Sequence, residues 1–142
     1  MDLIPGVQMT ASALDAEKTR IEVTAQNITN AFTTRDADGQ PYQRKEVAFE
    51  AFLDKAQGAN AAHSLMQSVR VSGIVSDKEP GERIYKPHHP HADDEGMVLM
   101  PNVKMSEEMV NLITASHAYT ANLTAFQTSK ELVNKTLSIG KA

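Results

Sequence analysis

Residues 102–139, NVKMSEEMVNLITASHAYTANLTAFQTSKELVNKTLSI, run without a glycine or a proline, and their reading decides the fold. Met105, Met109, Leu112, Tyr119, Leu123, Phe126, Val133 and Leu137 recur in steps of three, four or seven. That spacing puts all eight on one stripe of an α-helix, interrupted only by Ser116 and Lys130. Glu107 and Glu108 lie in the first turn and Lys130, Lys135 and Lys141 near the end, a polarity that suits the helix dipole. Pro101 marks the start, Asn102 or Ser106 offers a cap, and Gly140 marks the exit.

Length is the informative property of this helix. At 1.5 Å per residue it spans roughly 50 Å, whereas a compact ball of this chain length is about 37 Å across. Part of the apolar stripe must therefore be covered by something beyond the chain's own compact fold.

The same test applied to the amino-terminal end finds Val7, Leu14, Ile21 and Ile28 seven apart. Ile4, Ala11, Ala25 and Phe32 fall at complementary positions, with Lys18 the exception. This is a heptad pattern, which fits either an amphipathic helix lying on its own domain or a seam shared between chains. The helix should begin after Pro5-Gly6 and fray between Asn27 and Phe32, where Asn27, Thr29, Asn30, Thr33 and Thr34 compete for local backbone groups. Residues 35–41 read as a turn.

Apart from Pro5, Gly6 and Gly140, every glycine and proline falls between Gly39 and Pro101. The period changes there as well. Val47, Phe49, Ala51 and Leu53 alternate as a half-buried strand should. Residues 54–67 look like a mobile loop. Val69 and Val71 open a second strand, with a bulge expected at Gly73. Short strands are expected at 83–85 and 97–100. The chain thus divides into 1–34, 35–101 and 102–142.

Composition excludes several chemistries. The 142 residues include no cysteine, so disulfides and thiolate sites are ruled out. Net charge is −4, and no block of lysine and arginine follows a phosphate backbone, so no nucleic-acid partner is expected. No run of 18 apolar residues spans a membrane, and Met1-Asp2-Leu3-Ile4-Pro5 lacks the basic start of a cleaved signal. Aromatic residues make up only 5% of the chain, as in helical bundles and coiled coils.

The strongest chemical temptation is His88-His89-Pro90-His91-Ala92-Asp93-Asp94-Glu95. Zinc needs three or four converging ligands. Pro87 and Pro90 are expected to hold this stretch extended, which would point neighbouring rings apart. His63 and His117 read as surface residues. No nucleophile elbow, phosphate loop or HExxH pattern occurs, so no enzyme site, cofactor or small-molecule substrate is indicated.

Several segments carry a family resemblance. Ser12-Ala13-Leu14 and Ala25-Gln26-Asn27-Ile28-Thr29-Asn30-Ala31 resemble the amino-terminal motif of the bacterial flagellar rod and hook family, continued by Asp38-Gly39-Gln40-Pro41-Tyr42 and Arg44-Lys45. Met100-Pro101-Asn102-Val103, Glu107-Glu108-Met109-Val110-Asn111-Leu112-Ile113, Tyr119-Thr120-Ala121-Asn122 and Lys135-Thr136-Leu137-Ser138-Ile139-Gly140 resemble its carboxy-terminal signature. The resemblance implies an α+β fold in which long terminal helices pack as a coiled-coil-like pair, with a small antiparallel β domain inserted between them. It implies a non-enzymatic structural subunit of the proximal rod in the periplasmic part of the basal body, exported by the flagellar type III apparatus without a cleaved signal. Its partners would be copies of itself and other rod proteins, assembling into a hollow helical tube. The helix-packing positions would be Val7, Leu14, Ile21, Asn27, Ile28, Asn30, Met109, Leu112, Tyr119, Leu123, Phe126, Val133 and Leu137. The alternatives are a metal-binding module on His88, His89 and His91, or a helical adaptor closing into a small oligomer.

Overall fold

A computed structural model describes residues 5–55 and 65–139, with side chains over 9–51 and 68–138. Two helices flank four strands: α1 (Pro5–Thr29), β1 (Lys45–Lys55), β2 (Leu65–Ser76), β3 (Arg83–Tyr85), β4 (Met97–Leu99) and α2 (Met105–Ile139). This is the expected α+β class, with the helices packed together and antiparallel strand pairs between them in sequence.

Pro5 opens α1 at the first helical position, where its fixed φ helps and its missing N–H would have had no partner. The helix ends where side chains begin to compete for backbone. Thr29 Oγ1 donates to Ala25 O at 2.9 Å and Asn30 Nδ2 to Gln26 O at 2.9 Å, while Thr33 N closes a turn onto Asn30 O at 3.0 Å. At the far side of the chain α2 starts at Met105, the first residue of its apolar series and three residues into the run free of glycine and proline. Neither expected cap acts as one. Asn102 Oδ1 instead accepts Arg44 N at 2.7 Å, and Ser106 already lies inside the first turn.

Asn27, in the last turns of α1, touches Glu108, in the first turn of α2, so the paired helices run antiparallel. From that contact α1 runs back 22 residues to Pro5, and α2 runs on 31 residues to Ile139. At 1.5 Å per residue α2 outruns α1 by about 14 Å.

β1 and β2 form an antiparallel hairpin whose register shifts between Ala48 and Phe49. Ala48 faces Gly73 and Phe49 faces Val71, which leaves Ser72 as the extra residue of a bulge beside the expected glycine. The hairpin lies along α1, with Val69 and Val71 over Ser12, Ala16 and Thr19. Its strands extend into the expected loop, since Asp54 and Lys55 pair with Met66 and Leu65. The rest of that loop, 56–64, lies outside the described residues. β3 and β4 form a separate two-stranded piece, so the described residues between the helices hold two small antiparallel sheets. Gly81 lets the backbone before β3 run against Met100; a Cβ there would lie 1.7 Å from Met100 O.

The core sits where the end of α1, the start of β1, strand β4 and the start of α2 meet. Val23, Ala31, Tyr42, Val47, Val98, Met100 and Ala115 are buried there. Two of the three largest fully buried side chains, Glu108 and Asn27, are polar. A chain with so little apolar interior keeps a large surface. It exposes 10378 Å², against about 7,200 Å² for a compact monomer of this mass.

Candidate assembly surface and the clasp that aims it

The buried polar groups form one connected unit. Asn27 Nδ2 donates to Glu108 Oε2 at 2.9 Å and to Lys45 O at 2.8 Å. Its Oδ1 accepts Tyr42 Oη and Lys45 N, both at 2.9 Å. Glu108 Oε1 accepts Arg44 Nε at 2.8 Å and Asn111 Nδ2 at 3.4 Å. Beyond Arg44, Asp77 N donates to Arg44 O at 2.7 Å, and Asn102 Nδ2 donates to Asp77 O at 3.2 Å. One asparagine and one glutamate thus tie α1, the start of β1 and α2 into a clasp.

Glu108 is 1% exposed while Arg44 is partly open to solvent. A buried carboxylate is tolerated only when its lone pairs are matched, and here both oxygens hold fixed donors. The hydrogen bond to Glu108 holds the Arg44 guanidinium above its usual pKa. Burial pushes the Tyr42 phenol above its ordinary value, with the charges of Glu108 and Asp36 adding to the effect. Three of its roughly four acceptor sites are taken by fixed donors, so this carboxylate joins elements of the fold.

Apart from the clasp residue Asn27, the sequence-derived packing positions fall into two groups. Leu14, Ile21, Ile28, Asn30, Leu112, Tyr119, Leu123, Phe126 and Val133 are half-buried, whereas Met109 and Leu137 are exposed. The side chain of Val7 lies outside the described residues. Among the described residues, the fully buried apolar positions of α1 are Ala16 and Val23, which do not belong to the seven-residue series.

Sequence reasoning missed Tyr42, Arg44 and Glu108 as a unit. Glu108 satisfied the dipole rule, which hid its second role. The available signal was spacing: Glu108 shares a helix face with Asn111, Leu112 and Ala115, of which Ala115 is fully buried, with Arg44 as the unplaced opposite charge.

The histidine stretch differs from expectation. It is not extended: His89 N bonds Lys86 O and Ala92 N bonds His89 O, both at 3.0 Å, making two successive turns. Pro87 and Pro90 each occupy the second position of a turn, where a fixed φ near −65° belongs. His89 and His91 therefore approach edge to face, 5.3 Å between centroids. His89 Nδ1 accepts His91 N at 3.1 Å, and His91 Nδ1 pairs with Thr34 Oγ1 at 2.8 Å. Desolvation, Arg35 and His89 hold the His91 imidazole below its usual pKa. Asp93 serves the turn that follows. Its carboxylate accepts Met97 N and Glu95 N and pairs with Arg83, and these bonds, led by that of Met97, hold its pKa down. Among the described residues no three His, Asp or Glu side chains converge as metal ligands. No helix among them is long and apolar enough to cross a membrane.

Comparison with known proteins matches the family model of flagella basal body rod proteins over residues 8–35. A second model, the flagellar basal body rod FlgEFG protein C-terminal region, matches residues 94–139. The flagellar basal-body rod protein FlgC of Yersinia enterocolitica is 38% identical over 141 residues, covering 99% of this chain and all of the relative. The FlgC protein of Escherichia coli O157:H7 is 37% identical over the same share of each chain. That of Borreliella burgdorferi is 35% identical over 98% of both.

Proposed function

Since this chain belongs to the FlgC family of flagellar basal-body rod proteins, and so is a structural rod subunit, we propose that its terminal helices build a hollow helical tube with copies of itself and other rod proteins. In this reading residues 1–34 and 102–142 form the axial part and 35–101 an outer part. The subunit belongs to the proximal rod in the periplasmic portion of the basal body, arrives through the flagellar type III export apparatus, and carries out no covalent chemistry.

The observation that carries the reading is a polar clasp at one end of an overlong helical pair. Apolar side chains on helices are normally covered by the protein's own core. Here Met109, Val110, Ile113, Leu132 and Leu137 are each more than half exposed on a single helix. Exposed apolar side chains at both ends of one helix call for protein neighbours. A contact that repeats by rotation and rise without closing gives a tube.

The test uses basal bodies purified from cells in which this chain is the only copy of its kind. The intact chain should be a component of them. A chain ending after residue 130 should be exported yet missing from the rod, because it keeps the clasp and loses the unpaired end of α2. Complete rods built without the intact chain would refute the reading.

A further inference from the structure

Two imidazole contacts hold the histidine loop in place, and only one of them survives protonation. The first is long-range: His91 Nδ1 pairs with Thr34 Oγ1 at 2.8 Å, joining residues 57 apart in the chain. A hydroxyl both donates and accepts, so this pair persists whichever partner carries the proton. The second has a fixed direction. His91 N can only donate, and it does so to His89 Nδ1 at 3.1 Å. His89 Nδ1 must therefore be free of a proton, with the ring hydrogen on Nε2. Pro90 offers no N–H, so His91 N is the first backbone donor after His89. The ring takes the place that an asparagine takes in an Asx turn, bonding the backbone two residues on.

Protonation of His89 puts a hydrogen on Nδ1 and sets it against the His91 N–H. It also places a cation on a ring whose centroid is 5.3 Å from that of His91. His91 already feels Arg35, and like charges at such separations oppose one another. The other charged groups on these segments are Asp36 after α1, Lys86, His88, Asp93, Asp94 and Glu95 on the loop, and Arg83 on β3. Asp36 accepts Ala37 N at 2.7 Å, while Asp93 and Glu95 face Arg83. Among the described residues no ion pair joins a carboxylate to an imidazole.

The His91 imidazole itself favours the neutral state. Desolvation, with Arg35 and His89, holds it below the ordinary value of 6.5. Its contribution to the closed loop is therefore complete above that value and is lost as pH falls through the lowered one.

Opening here is local. Val98 and Met100 are buried in the core, at 1% and 9% exposure, and keep β4 seated. On the α1 side, Thr33 O accepts Tyr42 N at 3.1 Å, and Tyr42 Oη reaches Asn27. The loop is thus fastened beside the clasp and not through it.

We infer that residues 86–92 form an acid-released latch: with His89 neutral the loop is fastened to Thr34, and protonation of His89 frees it while the clasp stays closed. The latch goes beyond the rod-subunit reading and does not depend on it.

The test is amide exchange, followed by NMR on the purified full chain between about pH 8 and about pH 5, a range that spans histidine titration. Rates are corrected for their intrinsic pH dependence. Protection at His91 and Ala92 should fall about fivefold on acidification, while Val98 and Ala115 keep theirs. His89→Asn keeps an acceptor two residues before His91 N and does not titrate, so it should stay closed throughout. Thr34→Val should already be open at the higher pH. Equal loss in the parent and in His89→Asn would overturn the latch, as would protection that acid leaves unchanged. A Thr34→Val chain as protected as its parent would show that the loop is fastened elsewhere and overturn it. Simultaneous loss at Val98 and Ala115 would show general unfolding, which also overturns it.

Discussion

The first turns and the last turns of α2 share one helix, one hydrophobic period and no helix breakers, yet they end in opposite environments. At the start, Glu108 is 1% exposed and Ala115 fully buried; at the end, Leu132 and Leu137 are 61% and 57% exposed. Glu108 is inside and the two leucines are outside. Burial here follows which elements reach a position, not the hydropathy of the residue. Four chain segments converge on the clasp, and α1 has ended before Leu137.

The comparison can be broken most sharply at Glu108. Glu108→Ala should cost about 3 kcal/mol, because it leaves Arg44, Asn27 and Asn111 without their acceptor in a nearly closed site; chemical denaturation of the purified chain would measure it. Asn27→Ala removes four hydrogen bonds from the same site and should cost about 2 kcal/mol. If both variants keep the parent unfolding midpoint, the clasp does not hold the helices.

Tyr42 sharpens the same contrast through pH. Its folded-state pKa lies above the ordinary value of 10.0, so the native state keeps the phenolic proton more firmly than the unfolded chain does. This stabilisation is complete below that value and disappears as pH climbs through the raised one. Tyr42→Phe should cost about 1 kcal/mol near neutrality, by loss of the bond to Asn27. It should also flatten the decline in stability measured above pH 10.

The smallest expected effect belongs to the other end. Leu137→Ala should change monomer stability by less than about 0.5 kcal/mol, since an exposed side chain has little to lose on truncation. Its effect should appear in assembly instead, as reduced pelleting in sedimentation over a concentration series. A large loss of monomer stability would show that the end of α2 is covered within the chain.

Much of this was legible beforehand. The period of residues 105–137 identifies α2, the change of period at Val47 marks β1, and Gly73 sits at the bulge. These are local properties, set by spacing along the chain. The histidine turns escape a reading in which proline only extends the chain, because proline equally presets the second position of a turn. The clasp was missed for a different reason. Asn27 and Glu108 are 81 residues apart, and nothing in either neighbourhood announces the other.

By itself the sequence determined the helices, their polarity, their excess length and the family, because each depends on residue order over short spans. Only the tertiary structure decided which glutamate is buried, that α1 turns Ala16 and Val23 fully inward, and where α2 runs out of cover. Those outcomes depend on which distant segments arrive at the same place, and the free energy of a buried charge or an uncovered leucine is set there.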